Sequence, residues 1–377
     1  MRKAILRIHL FLSLILGVFI VTTCTTGSLL MLEPAIERWM NPIDRTPTPG
    51  DVGVAVIKQH GDAVSPDLKT DRIDFPGEDG FYHVHLSKAD ANGKEGKLVY
   101  ADPGTGEIFG QIAEERKEPF QTIYNLHRYF LLTPVIGKQP AAWVVGILGV
   151  GMLVILLSGA YLWWPGIRKL ASGFRIVRNR GKLLHNMGLH KTIGIISIPV
   201  LLVFAGTGVI NAFEKSIPVW VGFKAKEEVP KSAMAPKQKT GTILPVDQIV
   251  SRIHQSYPNS KVVNIQIPLK PGQNYQVGLK EGFGASEKSN STVYIDAADG
   301  EVLYKTNPNL AINLYNAWRK GLHFATWGGE ELKWLSFLFG MTPLVLMITG
   351  VVIWQLKARA RRRGKETDTK LRSPLSA

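Results

Sequence analysis

Four histidines stand at or just before the start of apolar segments, and they form two pairs. His9 and His190 open two apolar runs, whereas His127 and His323 each come shortly before another such run. A neutral imidazole is the commonest metal ligand among side chains, and an ionisable residue inside a membrane is costly unless it has a function. The positions therefore predict metal ligation at the two ends of a set of membrane helices.

The residues around these histidines repeat. One set recurs 181 positions further along the chain, as His9, Gly27, Glu33 and Trp39, then His190, Gly208, Glu214 and Trp220. A second set recurs with identical gaps, as Trp143, Gly159 and Trp163, then Trp334, Gly350 and Trp354. We interpret the chain as an internal duplication, in which each half supplies one histidine at each membrane surface.

The glycines of the repeat have a definite helical phase. Eighteen residues separate His9 from Gly27, which returns to the same helix face roughly 27 Å further along. Gly208 has the same relation to His190. A missing side chain permits close approach of a flat macrocycle or of a neighbouring helix. Gly159 and Gly350 would serve the same purpose towards the other surface, and both interpretations remain open for all four glycines.

Four apolar runs provide the elements that position these residues. Each is close to the ~20 residues that cross a bilayer as a helix. They cover residues 8–32, 141–164, 192–213 and 332–356. The first is too long for a cleaved signal sequence, and its repeat partner lies inside the chain. We predict a four-helix transmembrane bundle.

The net charge of +15 is concentrated beside these runs. Basic residues cluster before the first run, in the loop 165–191 and in the tail 357–377. Positive charge flanking membrane helices marks the cytoplasmic side and attracts anionic lipid. Both termini are therefore predicted to be cytoplasmic, and the placement of the charge gives no support to nucleic-acid binding.

The two long loops on the opposite side carry α+β patterns. Residues 33–118 and 214–310 each contain alternating strand-like segments and an Asp-x-x-x-Gly-Glu turn, at Asp102 and at Asp296. We predict two extracytoplasmic α+β modules, each followed by an interfacial segment, 119–140 or 311–331. His83 and His85 alternate on one predicted strand, so they share a face. They could contact a metal or a ferric chelate, or be solvated strand surface.

Other polar residues have competing interpretations. His185 is the rival of His190 as a ligand, although nothing before His9 corresponds to it. Glu33 and Glu214 are expected to pair with a nearby basic residue. Cys24 is the single cysteine, which excludes an intrachain disulfide and a cysteine-ligated cluster.

These motifs resemble the PepSY-associated transmembrane helix family. The resemblance rests on the aliphatic residue before His9 and His190, the Leu-His pairs at His127 and His323, the Thr-Gly or Ser-Gly pairs and the repeated Asp-x-x-x-Gly-Glu turns. The resemblance covers the chain from Arg7 to Arg363. The family includes bacterial inner-membrane haem-containing siderophore reductases. It implies two b-type haems with His9, His190, His127 and His323 as axial ligands, in a PepSY-like architecture.

The resemblance implies reduction of a ferric siderophore or another ferric chelate for iron acquisition. The chain has no glycine-rich dinucleotide fingerprint, so we expect a cytoplasmic reductase or a quinol as the electron donor. No pattern identifies a catalytic acid or base. The alternative is a membrane sensor or regulator whose outer modules bind a peptide, protease or ligand. A metal permease is disfavoured because few polar residues lie within the runs.

Overall fold

The computed structural model describes residues 1–40, 42–88, 96–113, 118–222, 224–234, 243–270, 272–281, 290–326 and 328–372, with the backbone alone for 111–113 and 364–372. The end of the tail 357–377 lies outside the described residues. The chain divides into two compact units. We call 1–33, 122–214 and 323–377 the helical unit, and 34–121 and 215–322 the sheet unit.

Twelve α-helices occur in the described residues, and four of them are long and apolar. In chain order they are α1 (Arg2–Met40), α2 (Val54–Asp62), α3 (Phe120–Tyr129), α4 (Thr133–Ile136), α5 (Lys138–Trp163), α6 (Leu170–Gly173), α7 (Lys182–Ala212), α8 (Ser216–Trp220), α9 (Lys231–Met234), α10 (Val246–Ser256), α11 (Ala311–Phe324) and α12 (Gly329–Arg372). By length and composition α1, α5, α7 and α12 can each cross a membrane. The four predicted spans coincide with these helices, and α1 and α12 extend beyond them at both ends.

The four long helices pack in a closed ring. Gly151 of α5 faces Leu16 of α1, and α7 packs against both α5 and α12. Gly17 of α1 faces Met347 of α12, which closes the ring. The glycine at each of these crossings leaves room for a larger side chain of the neighbouring helix. The result is a bundle that carries His9 on α1 and His190 on α7.

The sheet unit is built on one antiparallel sheet of eight strands. In chain order these are β1 (Lys69–Asp74), β2 (Tyr82–Ser87), β3 (Gly96–Ala101), β4 (Ile108–Ala113), β5 (Lys261–Gln266), β6 (Tyr275–Lys280), β7 (Ser291–Ile295) and β8 (Val302–Lys305). Their spatial order is β4-β3-β2-β1-β5-β6-β7-β8. Each half is therefore a meander of four strands, and the first strands of the two meanders pair with one another.

The two halves share one hydrophobic core. Ile73 of β1 lies opposite Ile265 of β5, and both side chains are fully buried. The helices α2 and α10 contact each other and contribute buried residues such as Ile57 and Ile249 to the same cluster. Apolar residues at helical spacing in each helix form the stripe that covers the sheet.

The two predicted α+β modules are joined through one sheet in the structure. Residues 33–118 and 214–310 contribute to a single compact unit with a continuous sheet. The strands were predicted correctly from local alternation in the sequence. The pairing of β1 with β5 is a long-range feature, and it buries a strand edge that each module would otherwise expose. Satisfying those two edges gives the physical reason for one sheet instead of two.

Candidate functional site

Each of the four candidate histidines lies against a Ser-Gly or Thr-Gly pair on another helix. His9 of α1 faces Ser158 and Gly159, and His190 of α7 faces Thr349 and Gly350. His127 of α3 faces Thr26 and Gly27, and His323 of α11 faces Thr207 and Gly208. The four predicted histidines and the four predicted glycines are thus brought together pair by pair.

The first site is at the end of the bundle that contains His9. The Nδ1 atom of His9 is 2.9 Å from Ser158 Oγ and 3.1 Å from the carbonyl oxygen of Ile155. A Cβ atom on Gly159 would lie 3.3 Å from His9 Cε1. The glycine therefore makes room for the imidazole ring itself.

His190 has an equivalent environment at the same end. Its Nδ1 atom is 2.9 Å from Thr349 Oγ1, and a Cβ on Gly350 would be 3.5 Å from its Cε1. His190 and His9 thus have matching neighbours, a hydroxyl group and a glycine on another long helix.

The opposite end of the bundle holds the second pair. The Nδ1 atom of His127 is 2.9 Å from the carbonyl oxygen of Thr23 and 3.5 Å from Thr26 Oγ1. A Cβ on Gly27 would lie only 2.7 Å from His127 Cε1. The His127 ring therefore lies closer to the backbone of α1 than a Cβ atom at position 27 would allow.

His323 is bound by α7 in the corresponding way. Its Nδ1 atom is 3.0 Å from Thr207 Oγ1, and a Cβ on Gly208 would be 3.4 Å from its Cε1. The rings of His127 and His323 have centroids 6.3 Å apart and planes inclined by 35°. The two imidazoles at this end are thus close neighbours supplied by different helices.

The hydroxyl groups determine which ring nitrogen carries the proton. Each hydroxyl already donates to a carbonyl of its own helix, as Thr207 Oγ1 does to Val203 O at 2.6 Å and Ser158 Oγ to Ile155 O at 2.9 Å. A hydroxyl has one proton, so towards the imidazole it can only accept. The Nδ1–H group of the histidine must therefore donate, which assigns the lone pair of the neutral ring to Nε2.

The separation of His127 and His323 is of the size that a shared metal ion requires. Two metal–nitrogen bonds of about 2.0–2.1 Å, together with the distance from each nitrogen to its ring centre, amount to roughly 6 Å. The observed separation is 6.3 Å. Two neutral imidazoles from different helices form the donor set of a six-coordinate haem iron. The residues present therefore fit such a group.

The serine and threonine residues were not predicted as part of the site. In the sequence, a hydroxyl residue precedes the glycine in all four places, and this was available as a signal. It is easily overlooked because serine and threonine in apolar helices commonly bond to their own backbone. In the structure these hydroxyls bond to their own helix and also lie 2.9–3.5 Å from a histidine Nδ1 atom.

The remaining candidates lie elsewhere in the helical unit. His185 Nδ1 is 3.3 Å from the carbonyl oxygen of Val177, away from the Thr349–Gly350 pair that His190 occupies. Glu214 pairs with Arg128 at 3.5 Å, as predicted, and Glu33 is buried. Cys24 is 3.8 Å from Met152 Sδ between α1 and α5.

His83 and His85 lie on one face of β2, as predicted, and each is paired with a carboxylate. His83 Nε2 is 2.6 Å from Asp79 Oδ2, and His85 Nε2 is 3.3 Å from Asp74 Oδ2. Among the described residues, no group of three or more histidine, cysteine or acidic side chains could hold a metal ion. These contacts hold each of the two histidines beside a carboxylate of the sheet unit.

Asp74 makes the stability of this region dependent on pH. Burial disfavours its ionisation, but hydrogen bonds from His85 and Arg72 outweigh that effect and hold the pKa of Asp74 below its ordinary value. The stabilisation is therefore present at neutral pH and is lost as the pH falls through the lowered pKa, below about 3.8. Asp74→Asn is expected to destabilise the sheet unit by about 1–2 kcal/mol at pH 7.

Amide hydrogen exchange of β1 and β2 in the full-length protein measures this effect. Exchange should be faster in Asp74→Asn than in the wild type at pH 7, and the difference should shrink at pH 3. Asp67→Asn, at an exposed position, is the matched control. Equal protection of Asp74→Asn and wild type at pH 7 would contradict the assignment.

Four helices able to cross a membrane, together with one antiparallel sheet covered by helices, define a membrane protein with α+β parts. The sequence matches the family model of the PepSY-associated TM region over residues 6–357. The chain belongs to this family. A search of curated proteins finds no significant match.

Proposed function

We propose that this protein is a haem-b membrane oxidoreductase that reduces an extracytoplasmic ferric chelate such as a ferric siderophore. The observation that carries the proposal is the pair His127 and His323, with ring centroids 6.3 Å apart. Both rings have Nδ1 engaged by a neighbouring helix, so that Nε2 is the nitrogen suited to bind iron. Membership of the family supports the membrane setting.

We assign two haem sites. His127 and His323 would hold the outer haem, and His9 and His190 the inner haem near the cytoplasmic side. Each site takes one histidine from each half of the chain, which agrees with an origin by internal duplication. We further infer that the sheet unit is a pair of fused PepSY-like modules and that the bilayer is a bacterial inner membrane with both termini in the cytoplasm.

Haem b supplies a reversible one-electron Fe(III)/Fe(II) couple when it is bound. The protein's part is to hold the imidazoles in a fixed orientation and to shield the site from water. Thr207 and Ser158 fix the rings of His323 and His9. Gly27 and Gly208 let the rings of His127 and His323 lie against α1 and α7. Proton transfer by a side chain is not required for electron transfer of this kind.

The charge of the iron explains why reduction would release it from the ferric chelate that accepts the electron. Hard oxygen ligands bind the more highly charged Fe(III) more tightly than Fe(II), so reduction weakens the chelate and releases iron. The donor would be a separate cytoplasmic reductase or a quinol, because the sequence lacks a glycine-rich dinucleotide fingerprint. Basic residues beside the membrane, such as Arg178 and Arg180, suit contact with anionic lipid headgroups.

Absorption spectroscopy tests the proposal. Protein purified in detergent from haem-replete cells is expected to show a Soret band, with α and β bands that sharpen on reduction by dithionite. Ferric siderophores added anaerobically to the reduced protein should reoxidise it, whereas their gallium analogues, which cannot be reduced, should not. A colourless preparation would overturn the haem assignment. A red protein that no ferric chelate reoxidises would favour the sensor hypothesis.

A further inference from the structure

We propose that Ser158, Thr349 and Thr207 are positioning residues that set the reduction potentials of the haems through the Nδ1–H groups of their histidines. This inference rests on the proposed function, since it presupposes that the histidines bind haem iron. The observation behind it is the recurrence of one hydrogen-bond chain at three places: a histidine Nδ1–H, a helix hydroxyl and a helix carbonyl.

The chain of hydrogen bonds is complete at three of the four sites. Ser158, Thr349 and Thr207 lie 2.9–3.0 Å from their histidine Nδ1 atoms. Each hydroxyl also donates within its own helix, for example from Thr349 Oγ1 to Val345 O at 2.9 Å. A hydroxyl that donates is a better acceptor, because hydrogen bonds in a chain polarise one another. The imidazole therefore meets an oriented acceptor that cannot rotate away.

An acceptor on Nδ1–H changes the ligand electronically as well as sterically. Drawing the proton away from Nδ1 makes the opposite nitrogen more basic, and a more basic ligand stabilises Fe(III) over Fe(II). The potential of the haem then falls. Loss of the acceptor should accordingly raise the potential of that haem and loosen the orientation of the ring.

The fourth site departs from this pattern in an informative way. Thr26 Oγ1 is 3.5 Å from His127 Nδ1, at the limit of a hydrogen bond, and the carbonyl oxygen of Thr23 takes the main bond at 2.9 Å. A backbone carbonyl cannot be removed by a side-chain substitution. The two ligands of the outer haem thus differ: His323 depends on a hydroxyl and His127 on the backbone.

This difference supplies an internal control. Thr207→Val keeps the shape of the side chain and removes the acceptor, so it should raise the potential of the outer haem. It should also weaken haem retention by roughly 10–100-fold, as loss of such partners typically does. Thr207→Ser keeps the hydroxyl and should resemble the wild type. Thr26→Val, at the equivalent position of the repeat, should have a much smaller effect.

The experiment is a spectroelectrochemical titration of the full-length protein in detergent, with haem transfer to a scavenging globin as a second readout. Thr22→Val controls for loss of an intrahelical hydroxyl bond, because Thr22 Oγ1 also donates to its own helix, at 2.9 Å from Val18 O. A raised potential and faster haem loss in Thr207→Val alone would support the inference.

Three results would overturn it: an unchanged outer potential in Thr207→Val with haem retained, equal shifts in Thr26→Val and Thr207→Val, or haem loss in Thr207→Val and Thr207→Ser alike. The proposed function fails differently. If the potential shifts as expected but no ferric chelate reoxidises the reduced protein, the positioning role stands and the reductase role does not.

Discussion

Replacing His127 by alanine is expected to remove the outer haem and leave about half of the pigment, and replacing His323 should do the same. The two rings are close neighbours, with centroids 6.3 Å apart, so under the proposed assignment either substitution would deprive the same iron of a ligand. Haem per polypeptide, determined after extraction into alkaline pyridine, measures the loss.

The double variant gives the sharper test. Two ligands of one iron act as a unit, so His127→Ala combined with His323→Ala should lose no more haem than either single variant. His9→Ala combined with His127→Ala should lose nearly all haem, because these residues belong to different sites. His185→Ala is the matched control and should keep full haem content, since its ring faces the Val177 carbonyl. Full haem in either single outer variant would show that the pairing is wrong.

Sequence alone predicted the helical bundle well because its signals are local. An apolar run of about 20 residues is sufficient to indicate a spanning helix, and periodic spacing places His9 and Gly27 on one helix face. Repetition at a fixed offset then pairs residues that no local rule connects. The four helices and the pairing of His127 with His323 followed from these two kinds of pattern, and the structure contains both.

The continuous sheet could not be predicted in the same way. Alternation in the sequence shows that residues such as Ile73 and Ile265 belong to strands with one buried face. It does not show which strand edges meet, because antiparallel pairing between β1 and β5 joins residues almost 200 positions apart. Only the unpaired backbone groups at the edge of each meander favour the pairing of β1 with β5. A helix or a loop could have covered those edges instead.

The role of the glycines also needed three-dimensional information. Helical phase placed Gly27 and Gly208 correctly, but a macrocycle and a helix were both reasonable neighbours for them. The structure places a histidine ring against each of the four glycines. Their effect on a bound haem remains a prediction, and the four distances rank how strongly each glycine should matter.

Gly27→Ala is expected to eliminate the outer haem, whereas Gly350→Ala should leave the inner haem in place. A Cβ at position 27 would lie 2.7 Å from His127 Cε1 and 3.1 Å from its Nδ1, so the ring must move. A Cβ at position 350 would be 3.5 Å from His190 Cε1, an ordinary contact. A ligand site tolerates displacement of only about 0.5 Å.

Spectra of the two variants separate these outcomes, with Gly17→Ala as a control on the same helix as Gly27. Position 17 has space for a Cβ, whose nearest neighbour would be Met347 Sδ at 3.7 Å. Alanine favours a helix over glycine by about 1 kcal/mol, so α1 itself should be more stable in both α1 variants. Loss of haem in Gly27→Ala with a helix at least as stable as before can then be assigned to the displaced ring of His127. Retention of full haem by Gly27→Ala would show that this ring is not an iron ligand.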